Sequence, residues 1–152
     1  MLEFTKVAYI CSPLSGDKEG IRKNMARAAD FCRYALEYKF IPYAPHLLFT
    51  DFMDDHKPSD RETAIKMAVE MLNRADELWV FTLDDHISSG MKAEIETAEK
   101  KGMPINYFNG IVTDPDNCTY NPVRTIHPNS ELNPAIEPSI THDVNKDQWV
   151  DF

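Results

Sequence analysis

Glu77-Leu-Trp-Val-Phe81 is followed, across a short acidic loop, by Ser88-Ser-Gly-Met-Lys-Ala-Glu94. The first run is continuous and apolar, as in a strand covered on both faces, and the second is a polar turn opening a helix. If that helix runs from Ser89 to Lys101, Met91, Ile95 and Ala98 recur on its buried face. Glu94 falls on the same stripe, where a hydrophobe is expected. A capping-box role needs Ser or Thr three residues earlier, and that position is Met91. Glu96 has Lys100 four residues on, whereas Glu94 has no Lys or Arg at i+3 or i+4. Periodicity therefore favours a functional carboxylate over a partly exposed first-turn acid favoured by the helix dipole.

Working outward, the same alternation of strand and helix recurs. Lys6-Val-Ala-Tyr-Ile-Cys11 reads as a buried strand ended by the turn Ser12-Pro-Leu-Ser-Gly-Asp17. A helix over Lys18 to Tyr38, with Ile21, Met25, Ala28, Cys32 and Ala35 inward, leads to a strand at Phe40-Ile-Pro-Tyr43. Residues Ala44 to Lys57 read as an irregular connection of the long kind that often carries function. Ser59 and Glu62 have capping-box spacing for the next helix, whose buried face is Ile65, Ala68, Val69, Leu72 and Ala75. Gly102 suits a helix C-cap before a strand at Pro104 to Phe108. This order predicts a three-layer, doubly wound α/β domain over residues 1–109, with a parallel, flavodoxin- or Rossmann-like sheet. Ligands of such sheets lie at the carboxyl ends of the strands.

From Gly110 the pattern changes: five of the ten prolines fall here, among many Asn and Asp. Residues 110–152 read as an irregular extension rather than a second domain. Its apolar end, Gln148 to Phe152, is expected to pack on the domain or on a neighbouring subunit.

The chain has 152 residues, enough to bury a core without disulfides or a structural metal. Its three cysteines form no CxxC pair and fit a reducing, cytoplasmic setting. No apolar stretch suits a signal or a membrane span. A net charge of −9 argues against binding a nucleic-acid polymer. A small anion at one helix N-terminus remains compatible with that charge.

Three loop features are expected to converge. Ser12, Pro13, Ser15 and Gly16 let backbone amides approach a ligand, though they are also ordinary turn residues, and they match neither a dinucleotide fingerprint nor a P-loop. Ser88, Ser89 and Gly90 can cap a helix or hold a phosphate or sugar hydroxyl, readings of equal weight. Glu94, one turn further in, can attack an anomeric carbon as the nucleophile of a retaining glycosyl transfer. His46 sits just after a strand's carboxyl end, and Asp84 and Asp85 are possible acids or base contacts. Asp54-Asp-His56 and Asp84-Asp-His86 hold metal-ligand types, but without ligand spacing they read better as loop coincidences, so neither metal nor cofactor is expected. Trp79 is core.

Tyr9-Ile-Cys-Ser-Pro, Asn24, Pro45-His-Leu, Ala75-Asp-Glu-Leu-Trp-Val and Ser-Ser-Gly-Met-Lys-Ala-Glu94 resemble the nucleoside 2-deoxyribosyltransferase-like superfamily over residues 5 to 108. The likeness extends to its deoxynucleoside-monophosphate N-hydrolase branch. The resemblance implies that Glu94 attacks C1′ of a nucleoside or nucleotide, that Tyr9 orients it, and that Ser88 and Gly90 help hold a 5′-phosphate. It also implies a homodimer or higher oligomer. The chain departs from the pattern at Ala68, where family enzymes place an Asp. That departure favours an alternative, a silent nucleotide-binding module. An NAD-type glycohydrolase is a further alternative.

Overall fold

The structure, a computed structural model, describes residues 4–14, 17–54, 56–83, 86–114 and 119–125, with the backbone alone for 83, 109–114 and 119–125. Ser15, Gly16, Asp84 and Asp85, proposed above as ligand contacts, lie outside the described residues, as do 126–152.

In chain order the elements are β1 (Lys6–Cys11), α1 (Lys18–Glu37), β2 (Phe40–Tyr43), α2 (Pro45–Phe49), α3 (Pro58–Asn73), β3 (Glu77–Leu83), α4 (Ser89–Lys100), β4 (Ile105–Asp114) and β5 (Thr119–Thr125). The sheet order is β2-β1-β3-β4-β5, parallel from β2 to β4. The expected doubly wound α/β architecture is what forms. Past Phe108 the chain is more regular than its composition suggested, because β4 continues to Asp114 and pairs antiparallel with β5.

Side-chain alternation along the central strands sends their residues into two cores. On one face Ala8, Ile10, Trp79, Phe81 and Phe108 pack with Phe31, Tyr34 and Ala35 of α1. On the other, Tyr9, Cys11, Leu78 and Val80 meet Leu72 of α3 and Met91, Ile95 and Ala98 of α4. Phe81 is stacked between Phe31 and Phe108, with centroid separations of 4.0 and 4.7 Å. Trp79 is fully buried, and its indole N–H donates to Glu77 Oε2 at 2.9 Å, an oxygen that also accepts from Asn106 Nδ2. A buried carboxylate thus receives two donors within the aromatic core.

Four local expectations need correction. Residues 44–57 are not wholly irregular, since Pro45, placed where its missing N–H costs nothing, begins the short α2. The capping box at Ser59 does not form. Pro58 takes the first helical position and Lys57 becomes the N-cap, so Ser59 falls inside the first turn and Glu62 pairs with Lys66 at 2.8 Å. The inward face of α3 is also narrower than its periodicity implied, with Leu72 buried but Ile65 58% and Val69 41% exposed. Likewise in α1 the buried face is centred on Phe31 and Tyr34. Gly102 ends α4 at φ 68°, the left-handed value that favours glycine at this position.

This packing separates two substitutions that look alike in the sequence. Phe81→Ala is expected to cost about 3–5 kcal/mol in urea unfolding. Ile65→Ala is expected to stay within about 0.5 kcal/mol of wild type. Comparable losses at both positions would contradict the placement of α3.

Candidate active site

The strand order reverses between β1 and β3, since β1 leads outward to β2 while β3 leads to β4 on the other side. At such a switch point the segments leaving the two strand ends diverge and leave a crevice. Here the walls are the turn after β1, helices α2 and α3, and the N-terminal half of α4.

Glu94 stands at the centre. Tyr9, on the β1 face turned toward α4, donates its phenolic proton to Glu94 Oε1 at 2.9 Å. Burial, reinforced by the adjacent carboxylate, raises the Tyr9 pKa far above the usual phenol value, so the hydroxyl stays protonated and acts as the donor. Cys11, two residues on along the same face, is likewise held as a thiol by burial and by Glu94. Its sulfur lies 4.0 Å from the Met91 carbonyl oxygen, and the thiol also hydrogen-bonds the Glu94 carboxylate. Glu94 itself has a raised pKa: desolvation dominates, and the hydrogen bonds from Cys11 and Tyr9 and the attraction of His46 oppose it. His46 is oriented through Nε2, which lies 2.9 Å from the Ser12 carbonyl oxygen.

Two lobes meet at this carboxylate. The apolar lobe, of about 250 Å³, is lined by Pro45, Phe49, Met53, Ala64, Ile65 and Ala68 among others. The polar lobe, of about 370 Å³, includes Ser12, His56, Ser88 and Ser89 in its wall. Leu14, His46, Arg61, Gly90 and Glu94 line both. The exposed Ile65 is thereby explained, because the apolar stripe on the first half of α3 faces the cavity rather than the core.

Tyr9, Ser12, His46, Ser88, Ser89, Gly90 and Glu94 are therefore brought together around one crevice. Pro13 is half-buried and is not part of its lining, where the neighbouring Leu14 takes the place. Ser88 does cap α4, its Oγ accepting from Met91 N at 3.3 Å, yet its O–H remains able to donate. Among the described residues nothing outside α4 lies within 4 Å of where a Cβ on Gly90 would stand. Asp60 and Arg61, missed from the sequence, both line the apolar lobe. Asp60, Ala64 and Ala68 follow at i, i+4 and i+8 on α3, a spacing that places a carboxylate on the same stripe as Ala68. Asp60 Oδ2 accepts from Asp54 N at 3.0 Å. Among the described residues no group of three or more His, Cys, Asp or Glu side chains is placed to hold a metal. No helix among them is long and apolar enough to cross a membrane.

The raised pKa has a consequence for stability. A carboxyl group whose pKa rises on folding imposes no penalty below its unfolded pKa. The penalty grows between the unfolded and folded values and is complete above the folded one. Glu94→Gln, which removes the charge and keeps the shape, is expected to raise Tm at pH 8 and to change it little at pH 4. An equal shift at both pH values would contradict a destabilising buried charge.

The pattern of a family described as a domain of unknown function (DUF7768) matches residues 6–108, and the chain belongs to that family. No curated protein matches it by sequence. Among solved structures it resembles the 2-deoxyribosyltransferase of the psychrotolerant bacterium Bacillus psychrosaccharolyticus, with 18% identity, a TM-score of 0.53 and coverage of 67% of this chain and 71% of that one. It also resembles the 2-deoxyribosyltransferase of Leishmania mexicana, with 14% identity, a TM-score of 0.51 and coverage of 69% of this chain and 65% of that one. The fold is thus nucleoside 2-deoxyribosyltransferase-like.

Proposed function

We propose that this member of the DUF7768 family cleaves or transfers the N-glycosidic bond of a nucleoside or nucleotide, with Glu94 as nucleophile. The observation that carries the reading is the Tyr9 hydroxyl held 2.9 Å from Glu94 Oε1, on a carboxylate shared by an apolar and a polar lobe. A planar base suits the first lobe, and the hydroxyls and charge of a sugar or sugar phosphate suit the second. Glu94 lies where the anomeric carbon between them would come. The fold shared with two 2-deoxyribosyltransferases supports the same reading.

The chemistry follows from the carboxylate. In its ionised form Glu94 attacks C1′, the C1′–N bond breaks with its electron pair on the departing base, and a glycosyl ester forms. The base takes up a proton from solvent as it leaves, and the water or base nitrogen that later attacks C1′ returns one to solvent. Water, or the nitrogen of a second base, then displaces Glu94 from C1′ and yields the hydrolysis or transfer product. Tyr9 is a positioning residue that holds one carboxylate oxygen so that the other is free to attack. Asp60, on the wall of the base lobe, is the nearest equivalent of the carboxyl group absent at Ala68, and we assign it the contact to the base. Burial makes Glu94 a better nucleophile once ionised, because its attack is not resisted by a full hydration shell.

Ala68 gives a second reading its one supporting observation: without an acid there, the pocket binds a nucleotide and does not turn it over. The test is to incubate wild type and Glu94→Ala with nucleosides, nucleoside monophosphates and NAD, and to follow released base by chromatography. Release by wild type alone, at least about 1000-fold above the variant, is expected if the nucleophile is removed. Nicotinamide as the only base released, with ADP-ribose beside it, would move the assignment to an NAD glycohydrolase. No product from any substrate, with a ligand-induced rise in Tm, would establish the binding module instead.

A further inference from the structure

His46, in the first turn of α2, lines both lobes of the crevice. Its Nε2 lies 2.9 Å from the Ser12 carbonyl oxygen. A carbonyl oxygen only accepts, so Nε2 carries the hydrogen whatever the charge of the ring. That contact fixes the tautomer and leaves Nδ1 as the nitrogen that gains and loses a proton. Among the described residues Nδ1 has no hydrogen-bond partner. Thr50 Oγ1 donates to the His46 carbonyl oxygen at 2.7 Å, so the residue is held by its backbone as well as by its ring.

His46 is close enough for its charge to favour the ionised form of Glu94. Imidazolium beside carboxylate is the protonation state from which a glycosyl transfer starts, an ionised nucleophile with an acid that has a proton to give. The other groups around the two lobes are unsuited to that second role. Tyr9 and Cys11 are held protonated by burial and by Glu94. Asp60 receives a hydrogen bond from Asp54 N and faces Lys57 Nζ at 4.0 Å, so it serves as an acceptor. The guanidinium of Arg61 does not give up a proton. His56 lines the polar lobe and not the apolar one, where the base is placed. Among the described residues, and apart from Glu94 itself, His46 is the one side chain that lines both lobes and is of a type that exchanges a proton near neutral pH.

We propose that His46 is the acid–base catalyst of this reaction, giving its Nδ1 proton to the departing base and taking one from the water or second base that attacks the ester. The proposal rests on the glycosidic reading given above. In the first step the C1′–N bond breaks with its electron pair on the base, the Nδ1–H bond breaks with its pair left on the imidazole, and an N–H bond forms on the base. In the second step neutral Nδ1 takes the proton of the attacking water or base nitrogen as that atom bonds to C1′ and Glu94 departs as carboxylate. The ring ends each turnover as it began, so it speeds the exchange of protons without altering its balance. The lack of an acid at Ala68 is then no obstacle to turnover.

The experiment compares wild type, His46→Gln and His46→Ala in the first turnover of base release, followed by rapid quench. Two substrates are used: the nucleoside or nucleotide that wild type cleaves best, and its analogue with the same sugar and a base that leaves without needing a proton. That base is the N7-methylated form of a purine or the 5-nitro form of uracil. His46→Gln keeps a donor for the Ser12 carbonyl oxygen and removes the titrating ring, so its Tm is expected to stay close to that of wild type. It is expected to slow release of the ordinary base about 100-fold or more, the usual contribution of a positioned acid, and to slow release of the analogue's base at least about 10-fold less. Added imidazole should restore part of the rate of His46→Ala on the ordinary substrate. Equal losses on the two substrates would make His46 a positioning residue, and no loss would make it a bystander. Either result overturns the proposal and leaves the glycosidic reading intact. Wild type that releases base from no nucleoside, nucleotide or analogue would remove that reading and this proposal with it.

Discussion

The crevice depends on one carboxylate that is largely withdrawn from water and still open to a ligand. An ionised Glu94 placed between Met91 and Ala98 costs desolvation energy, and its raised pKa records that cost. The Tyr9 hydroxyl, the Cys11 thiol and the field of His46 offset part of it. Both donors come from alternate positions on β1, so the inner strand supplies them from one face without a loop having to close. Their own raised pKa values keep them protonated, which fixes the direction of each hydrogen bond. On the function proposed here, the result is a nucleophile oriented before substrate arrives, at the expense of stability.

The sheet topology determines where this carboxylate can meet a ligand. With β1 and β3 adjacent and their connections leaving in opposite directions, the space above their carboxyl ends is open to both α3 and α4. Helix α4 contributes its N-terminus and Glu94. Helix α3 is anchored near its C-terminal end by Leu72 and extends its other end over the opening, with Ala64, Ile65 and Ala68 forming an apolar wall and Arg61 a charged rim. One helix can therefore serve both lobes, since residues 61, 64, 65 and 68 share a stripe.

Legibility in the sequence tracked how strongly a residue broke its local pattern. Glu94 stood out because a charge on an apolar stripe is anomalous at every level of reading. The strands were legible because continuous apolar runs of that length have few other outcomes. Arg61 and Asp60 were missed for the opposite reason, since charged residues in the first turn of a polar-looking helix are unremarkable. Only the discovery that α3's apolar stripe faces a cavity gives them meaning. The same stripe misled the expected core, because periodicity reports that a face is apolar and not whether protein or ligand covers it. At the start of α3, Pro58 outweighed the Ser59 and Glu62 signal by fixing the first helical residue. That the Ser12 hydroxyl is buried without a hydrogen-bond partner among the described residues is a property of three-dimensional packing and has no sequence signature.

The most direct examination of Glu94 as a nucleophile is to trap the ester. Wild type would be incubated with a nucleoside monophosphate whose sugar carries 2′-fluorine in the arabino configuration, which slows the departure of the enzyme from C1′ more than its attack. Peptide mass mapping would follow. A fluorosugar-phosphate adduct on the peptide containing Glu94, absent from Glu94→Gln, is the expected result. Stoichiometric release of base with no adduct, or with an adduct on another residue, would contradict the role given to Glu94.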